Sequence, residues 1–173
     1  MKVLIPEAKI EQRIAELAAE ISRDYAGEEV LLVGVLRGCF IFLADLARRL
    51  TVPRRIDFIA VHSYQGAASG AVRLIMDLRS DIEGRHVLIV EDIIDSGQTL
   101  DYLLQTLRAR RPASLKTCVF VRKQRQSALD VEVDYLGLEI PDVWVVGYGL
   151  DYADQHRALP YIAAIEPGES GES

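Results

Sequence analysis

Seven consecutive residues, Val30 to Leu36 (VLLVGVL), carry no polar side chain. An apolar run this short fits a strand buried on both faces, as in a parallel sheet covered by helices. A second run, HVLIVEDII from His86, begins the same way. Around these runs the periodicity changes. Ile10, Ile14, Leu17, Ala18 and Ile21 recur at helical spacing and predict an amphipathic helix over roughly Glu7 to Tyr25. Phe40, Leu43, Leu46 and Leu50 predict one face of a second helix, and Leu100, Leu103, Leu104 and Leu107 that of a third. RRIDFIAVHSY alternates as a strand, and VRLIMDL, SLKTCVFV, VDYLGLEI, VWVVGYGL and YIAAIEP read as further strands. Strands alternating with helices predict an α/β fold with a mostly parallel central sheet flanked by helices.

No repeat or linker divides the 173 residues, which suit one domain over 1–167 with a disordered tail at 168–173. Cys39 and Cys118 lie inside apolar runs and read as core residues of a reducing compartment. MKVLIPEAKI is broken by Pro6 and does not read as a signal peptide, and no stretch is long enough to span a bilayer, so a cytoplasmic location is expected. A net charge of -6 argues against nucleic acid or a membrane surface as partner. It leaves room for an anionic small substrate wherever local cations or a metal ion reverse the sign. His62, His86 and His156 show no metal-ligand spacing.

The chemistry concentrates at VEDIIDSGQTL, Val90 to Leu100. Ligands of open α/β sheets bind beyond the carboxyl ends of the strands, and this segment leaves such an end and enters a helix. A helix N-terminus favours phosphate through its free N–H groups and its dipole. Gly97 permits close approach or positive φ, and Ser96 and Thr99 add hydroxyls. Helix capping by Asp95 or Ser96 explains one acid or one hydroxyl. It leaves Glu91 and Asp92 unexplained, two adjacent acids at the end of a buried strand, where they would be costly. Such a pair could hold a sugar diol or orient hydrated Mg²⁺. The P-loop pattern G-x-x-x-x-G-K-[ST] is absent.

VLIVEDIIDSGQTL resembles the 5-phosphoribosyl 1-diphosphate (PRPP) motif of the type I phosphoribosyltransferases, most closely those acting on 6-oxopurines. In the same order, GVLRGCFIFLADL resembles that family's pyrophosphate loop and VHSYQGAASGAVRLIMDL its mobile loop. VRKQRQ and DYLGLEIPDVWVVGYGLDYADQHRALPYI resemble its purine-binding strand and hood. The resemblance runs from about Val33 to Pro167. It implies the type I fold, with a mobile loop and a small hood subdomain built from the N-terminal segment and about 134–165. The implied reaction transfers a phosphoribosyl group from PRPP to hypoxanthine or guanine, with xanthine as a further candidate, and uses Mg²⁺. The family is dimeric or tetrameric, which implies a homo-oligomer.

The resemblance also implies roles. Asp95 is placed near purine N7 as a general base, and Glu91 and Asp92 are the ribose- and metal-linked acids. Asp95, Ser96, Gly97, Gln98 and Thr99 form the 5′-phosphate loop. Leu36, Arg37, Gly38 and Arg157 hold pyrophosphate, with a non-proline cis peptide expected at Leu36–Arg37. Lys123 donates to the purine 6-oxo group, which favours hypoxanthine or guanine over adenine. Trp144 stacks on the base, and the Val145 backbone reads its edge. Asp151 sits beside the purine as a further Mg²⁺ ligand, and Ser63 and Tyr64 start the mobile loop. From residue type alone, Arg37 and Lys123 read as surface charges, and Trp144 as core. The sequence departs from the family at Cys39, which could crowd the pyrophosphate loop, and at His156 and Ala158, which flank Arg157. An RNA-binding regulator built on the same fold would need a basic face, which an acidic chain does not suggest. A non-catalytic nucleotide-binding module would be expected to lack Asp95 or Lys123.

Overall fold

A computed structural model of the chain describes residues 1–63, 72–125 and 129–165. Its centre is a six-stranded sheet, and three further strands lie outside it. In chain order the strands are β1 (Lys2–Ile5), β2 (Val30–Leu36), β3 (Arg54–Ser63), β4 (Val72–Met76), β5 (His86–Ile94), β6 (Ser114–Lys123), β7 (Tyr135–Ile140), β8 (Val145–Val146) and β9 (Ile162–Ala164). The central order is β4-β3-β2-β5-β6-β7, with only β4 antiparallel to its neighbour. Helix α1 is Glu7–Asp24, α2 is Phe40–Arg49 and α3 is Gln98–Arg108.

The two apolar runs lie side by side at the middle of the sheet, with Val30 opposite His86 and Gly34 opposite Val90. Their alternate residues feed two cores. Val30, Leu32, Leu88 and Val90 pack with α1 and α2, while Leu31, Val33, Val87 and Ile89 pack with α3. That double burial is why these runs show no polar alternation. From β2 the chain crosses through α2 to β3 on one side, and from β5 through α3 to β6 on the other. The topological switch point is therefore between the carboxyl ends of β2 and β5, where Leu36-Arg37-Gly38 and the Glu91–Thr99 segment meet.

β1, β9 and β8 form a separate three-stranded antiparallel sheet that joins the N-terminal segment to the 145–164 region. The hood expected from the N-terminal segment and about 134–165 covers these strands and also β7. β7, within that range, belongs to the central sheet, where it pairs with β6.

Several local expectations change. Phe40 is 45 % exposed and Phe42 takes its place in the core, because the helix begins at Phe40 and its first residue turns outward. Leu50 is buried but follows the helix instead of ending it. The strand expected over VWVVGYGL shrinks to Val145–Val146, since Gly147, Tyr148 and Gly149 all adopt positive φ. β1 was not read as a strand, because a four-residue edge strand with its first two residues exposed carries little pattern. No described helix is long and apolar enough to cross a membrane.

Candidate active site

At the β5–α3 junction Gly97 is the N-cap residue, with φ 84°, and no side chain caps the helix. Ser96 Oγ accepts only a long 3.4 Å bond from the Gln98 N–H. Capping by Asp95 or Ser96, the alternative left open by the residue types, is therefore not what holds this turn. Its first N–H groups are left to an anionic ligand. A side chain at Gly97 would also sit 3.1 Å from the Leu129 carbonyl, so the turn is tight on its inner side.

Asp95 points across to β6. Its carboxylate contacts Lys123 Nζ at 3.3 Å and forms a short ion pair with Arg125 Nη1. Burial would raise the Asp95 pKa, but the hydrogen bond from Arg125 and the charge of Lys123 outweigh it and hold the carboxyl below its usual value. The acid is ionised and its acceptor positions face cations. Lys123 is 8 % exposed, so it is no member of a solvated charge run. Its ammonium lies 5.3 Å from the centre of the Trp144 ring, and that ring meets Tyr152 edge-on at 6.2 Å. Trp144 is 65 % exposed, which overturns the core reading suggested by residue type. A large exposed ring against a buried lysine is a platform for a flat ligand with a hydrogen-bond acceptor on its edge. Val145 is buried in β8, adjacent to that ring.

Glu91 and Asp92 lie at the floor of the switch point. Glu91 is buried, and its Oε2 has no hydrogen-bond partner. Burial and the neighbouring Asp92 charge push its carboxyl well up. Burial raises Asp92 to about 6, against the lowering effect of its own and the Ile93 N–H groups and of Arg157, and with a further upward push from Asp151. A buried, unpartnered carboxylate oxygen beside a second acid suits a ligand that brings its own donors or positive charge, a ribose diol or a hydrated Mg²⁺.

The peptide bond Leu36–Arg37 is cis, as the resemblance implied. Gly38 follows it, pressed so closely on Asp92 that a Cβ there would lie 1.7 Å from Asp92 Oδ2. Only glycine fits between the loop and the acids. Cys39 is fully buried within the core that holds Phe42 and Leu43. Arg157 is held by its own contacts, donating from Nη1 to the Gly149 carbonyl at 2.7 Å and pairing through Nη2 with Asp151 at 2.8 Å. The flanking His156 and Ala158 side chains are exposed and play no part in that grip.

Asp95, Lys123 and Trp144 thus converge, as do Arg37, Gly38, Asp92, Asp151 and Arg157. Asp151 does not join Glu91 and Asp92 in a preformed metal cluster. No group of three or more His, Cys, Asp or Glu suited to a metal is found among the described residues, and the Asp151 carboxylate is engaged by Arg157 and the Asp154 N–H. Mg²⁺ commonly binds one or two carboxylates and completes its shell with water and substrate phosphates, so the acids still fit it. Ser63 ends β3, and Tyr64 lies outside the described residues. Sequence reasoning missed Arg125 and Asp154. Arg125 lies beyond the end of β6, so strand periodicity did not point to it, and its partners Asp95 and Asp142 are brought to it only by the fold.

Residues 5–153 match the family model described as the phosphoribosyl transferase domain. The chain is 47 % identical over 169 residues to the hypoxanthine phosphoribosyltransferase of Salmonella typhimurium, with 95 % of each covered. It is 45 % identical to the hypoxanthine-guanine phosphoribosyltransferase of Mycobacterium bovis, covering 95 % of this chain and 86 % of that one. A crystal structure of the Staphylococcus aureus hypoxanthine phosphoribosyltransferase superposes with TM-score 0.94 at 38 % identity, covering 99 % of this chain and 95 % of that one.

Proposed function

The chain belongs to the phosphoribosyl transferase family, and we propose that within it the substrate is a 6-oxopurine, hypoxanthine or guanine, joined to PRPP to give IMP or GMP and pyrophosphate in purine salvage. One observation carries the choice of base, the buried Lys123 ammonium between the Asp95 carboxylate and the face of Trp144. An ammonium can only donate, so it matches the 6-oxo acceptor of hypoxanthine or guanine and opposes the 6-amino donor of adenine.

The placement supports the following roles. The base stacks on Trp144 with its 6-oxo group on Lys123 and N7–H toward Asp95. Purine N9 attacks the anomeric carbon as its bond to pyrophosphate breaks, and the N7 proton passes to Asp95, which is ionised beforehand. The N–H groups of the Asp95–Thr99 turn hold the 5′-phosphate. Glu91 and Asp92 take the ribose hydroxyls, and Arg37 with Arg157 steadies the leaving diphosphate. Mg²⁺, held by Asp92 with Glu91 or Asp151 nearby, would neutralise that diphosphate. Closure of the loop that starts at Ser63 and Tyr64 would keep water from the activated sugar. Xanthine, which also carries a 6-oxo group, is a weaker candidate. A homodimer or homotetramer in the cytoplasm completes the proposal.

The test is nucleotide formation from PRPP and Mg²⁺ with hypoxanthine, guanine, xanthine, adenine and uracil, read by chromatography. Product from hypoxanthine or guanine, lost on chelation of Mg²⁺, supports the reading. Product from adenine or uracil alone would refute the roles given to Lys123 and Trp144.

A further inference from the structure

Arg37 and Arg157 are separated by most of the chain, yet both reach one carboxylate. Arg37 Nη2 lies 3.3 Å from Asp154 Oδ1, and Arg157 Nη2 lies 3.2 Å from the same oxygen. Asp151 makes no such bridge, since of these two arginines only Arg157 pairs with it. The shared acid is held in place by a tight turn. Its N–H donates to Asp151 Oδ2 at 2.8 Å, its φ is 60°, and Tyr152 and Gln155 close the turn with reciprocal backbone bonds of 3.3 and 3.0 Å. Asp154 itself remains open to water, with a side chain 62 % exposed, and Arg37 is 72 % exposed.

A carboxylate taking donors from two guanidinium groups presents them with the kind of charge and acceptor geometry that a phosphate would. We propose that Asp154 sets the affinity of the site for the diphosphate group, neutralising Arg37 and Arg157 between turnovers and competing with PRPP and pyrophosphate for them. The inference rests on the proposed function for the identity of the ligand and goes beyond it in naming a residue that opposes binding. A residue that merely supported the arginines would do the reverse, and its loss would weaken binding. Because the contacts are exposed, their opposition to the ligand is modest and is screened by salt. Without Asp154, Arg157 would still be held near the cleft by Gly149 and Asp151, and the Gly38 backbone packed on Asp92 keeps the main chain of Arg37 beside it.

The experiment measures binding of inorganic pyrophosphate by titration calorimetry, at low and high salt, together with KM for PRPP and for hypoxanthine. The variants are Asp154→Asn, Asp154→Ser and Asp154→Glu. The neutral variants should bind pyrophosphate roughly three- to tenfold more tightly at low salt, the size expected of two exposed ion pairs, and lower KM for PRPP similarly. Their KM for hypoxanthine should not change, Asp154→Glu should stay near wild type, and the gain should shrink at high salt. Equal or weaker pyrophosphate binding by both folded neutral variants overturns the inference while leaving the reaction in place. A wild type that binds no pyrophosphate and makes no nucleotide overturns the proposed function and the inference with it.

Discussion

Asp57 on β3 and Glu91 on β5 are buried to nearly the same degree, 6 % and 7 % exposed, within one sheet. Asp57 accepts hydrogen bonds from the backbone N–H groups of Phe58, Arg79 and Ser80 at 2.8, 2.9 and 2.8 Å. Burial alone would raise its pKa, but the donors of Ser80, Phe58 and Arg79 outweigh it and lower the carboxyl. Glu91 keeps one oxygen without a partner, and burial with the adjacent Asp92 raises it. Asp57 lies in mid-strand opposite Val33 and fastens the segment after β4. Glu91 lies just past Val90, the last β5 residue paired with β2, where the switch point opens. One acid has its donors built in. The other keeps one oxygen without a donor, which under the proposed function the ribose or a bound cation would supply.

The largest effect separates the two acids by stability. Asp57→Ala should lower unfolding free energy by about 3 kcal/mol, because buried N–H groups lose their acceptor. In a chain of this size that is a fall in Tm of roughly 6–12 °C, measured by calorimetry. Loss of under about 1 kcal/mol would break the claim that Asp57 is a fastener.

Next comes the opposite behaviour at the floor of the site, and here the sign depends on pH. Asp92 has a folded pKa of about 6 against 3.8 when unperturbed. A carboxyl raised on folding favours the folded state while it is neutral, below the unfolded value, and that contribution is lost as pH rises through the folded one. Asp92→Asn should match wild type in stability near pH 4. It should exceed wild type by up to about 2 kcal/mol above pH 7 while losing most turnover of PRPP. Urea unfolding at several pH values checks it, and a variant less stable than wild type at pH 8 would show that the protein does satisfy this acid.

How much of this was legible beforehand follows the same division. The paired runs Val30–Leu36 and His86–Ile94 announced the central strands because both faces are buried. Glu91-Asp92 stood out because acids rarely end such a run. Asp57 did not stand out, since in RRIDFIAVHSY it reads as the polar member of an alternating strand, and its partners at 79 and 80 are brought to it only by the fold. Trp144 and Lys123 were singled out only through family resemblance, because residue type pointed to core for one and solvent for the other. Asp154 gave no signal at all, its meaning lying in two arginines from distant segments.

Asp95 falls between the two acids, satisfied at rest by Lys123 and Arg125, yet in the proposed function the acceptor of a ligand proton. Arg125 also reaches Asp142 at 3.2 Å, tying Asp95 to the turn before Trp144. Arg125→Gln removes a cation that lowers the Asp95 pKa, so the acidic limb of the kcat/KM profile for hypoxanthine should move to higher pH. The loss should be confined to the ordinary carboxylate range, about pH 4 and below, with little change from pH 6 to 8. An unmoved limb would mean that Arg125 leaves Asp95 before the base arrives, or that another group titrates.

The smallest expected effect asks whether Glu91 and Asp92 await a cation even without substrate. Ligand that binds only the folded state stabilises it by RT ln(1 + [L]/Kd), so MgCl₂ at a few times its Kd adds less than about 1 kcal/mol. In wild type this should appear as a rise in Tm of roughly 1–3 °C at millimolar Mg²⁺, and it should vanish in Asp92→Asn. PRPP added with Mg²⁺ should give a larger rise, because its diphosphate and ribose hydroxyls complete what two carboxylates begin. A rise with Mg²⁺ alone that persists in Asp92→Asn would place the cation elsewhere. Glu91 would then be an acid that meets only the sugar, and the contrast with Asp57 would narrow to hydrogen bonds made with and without a substrate.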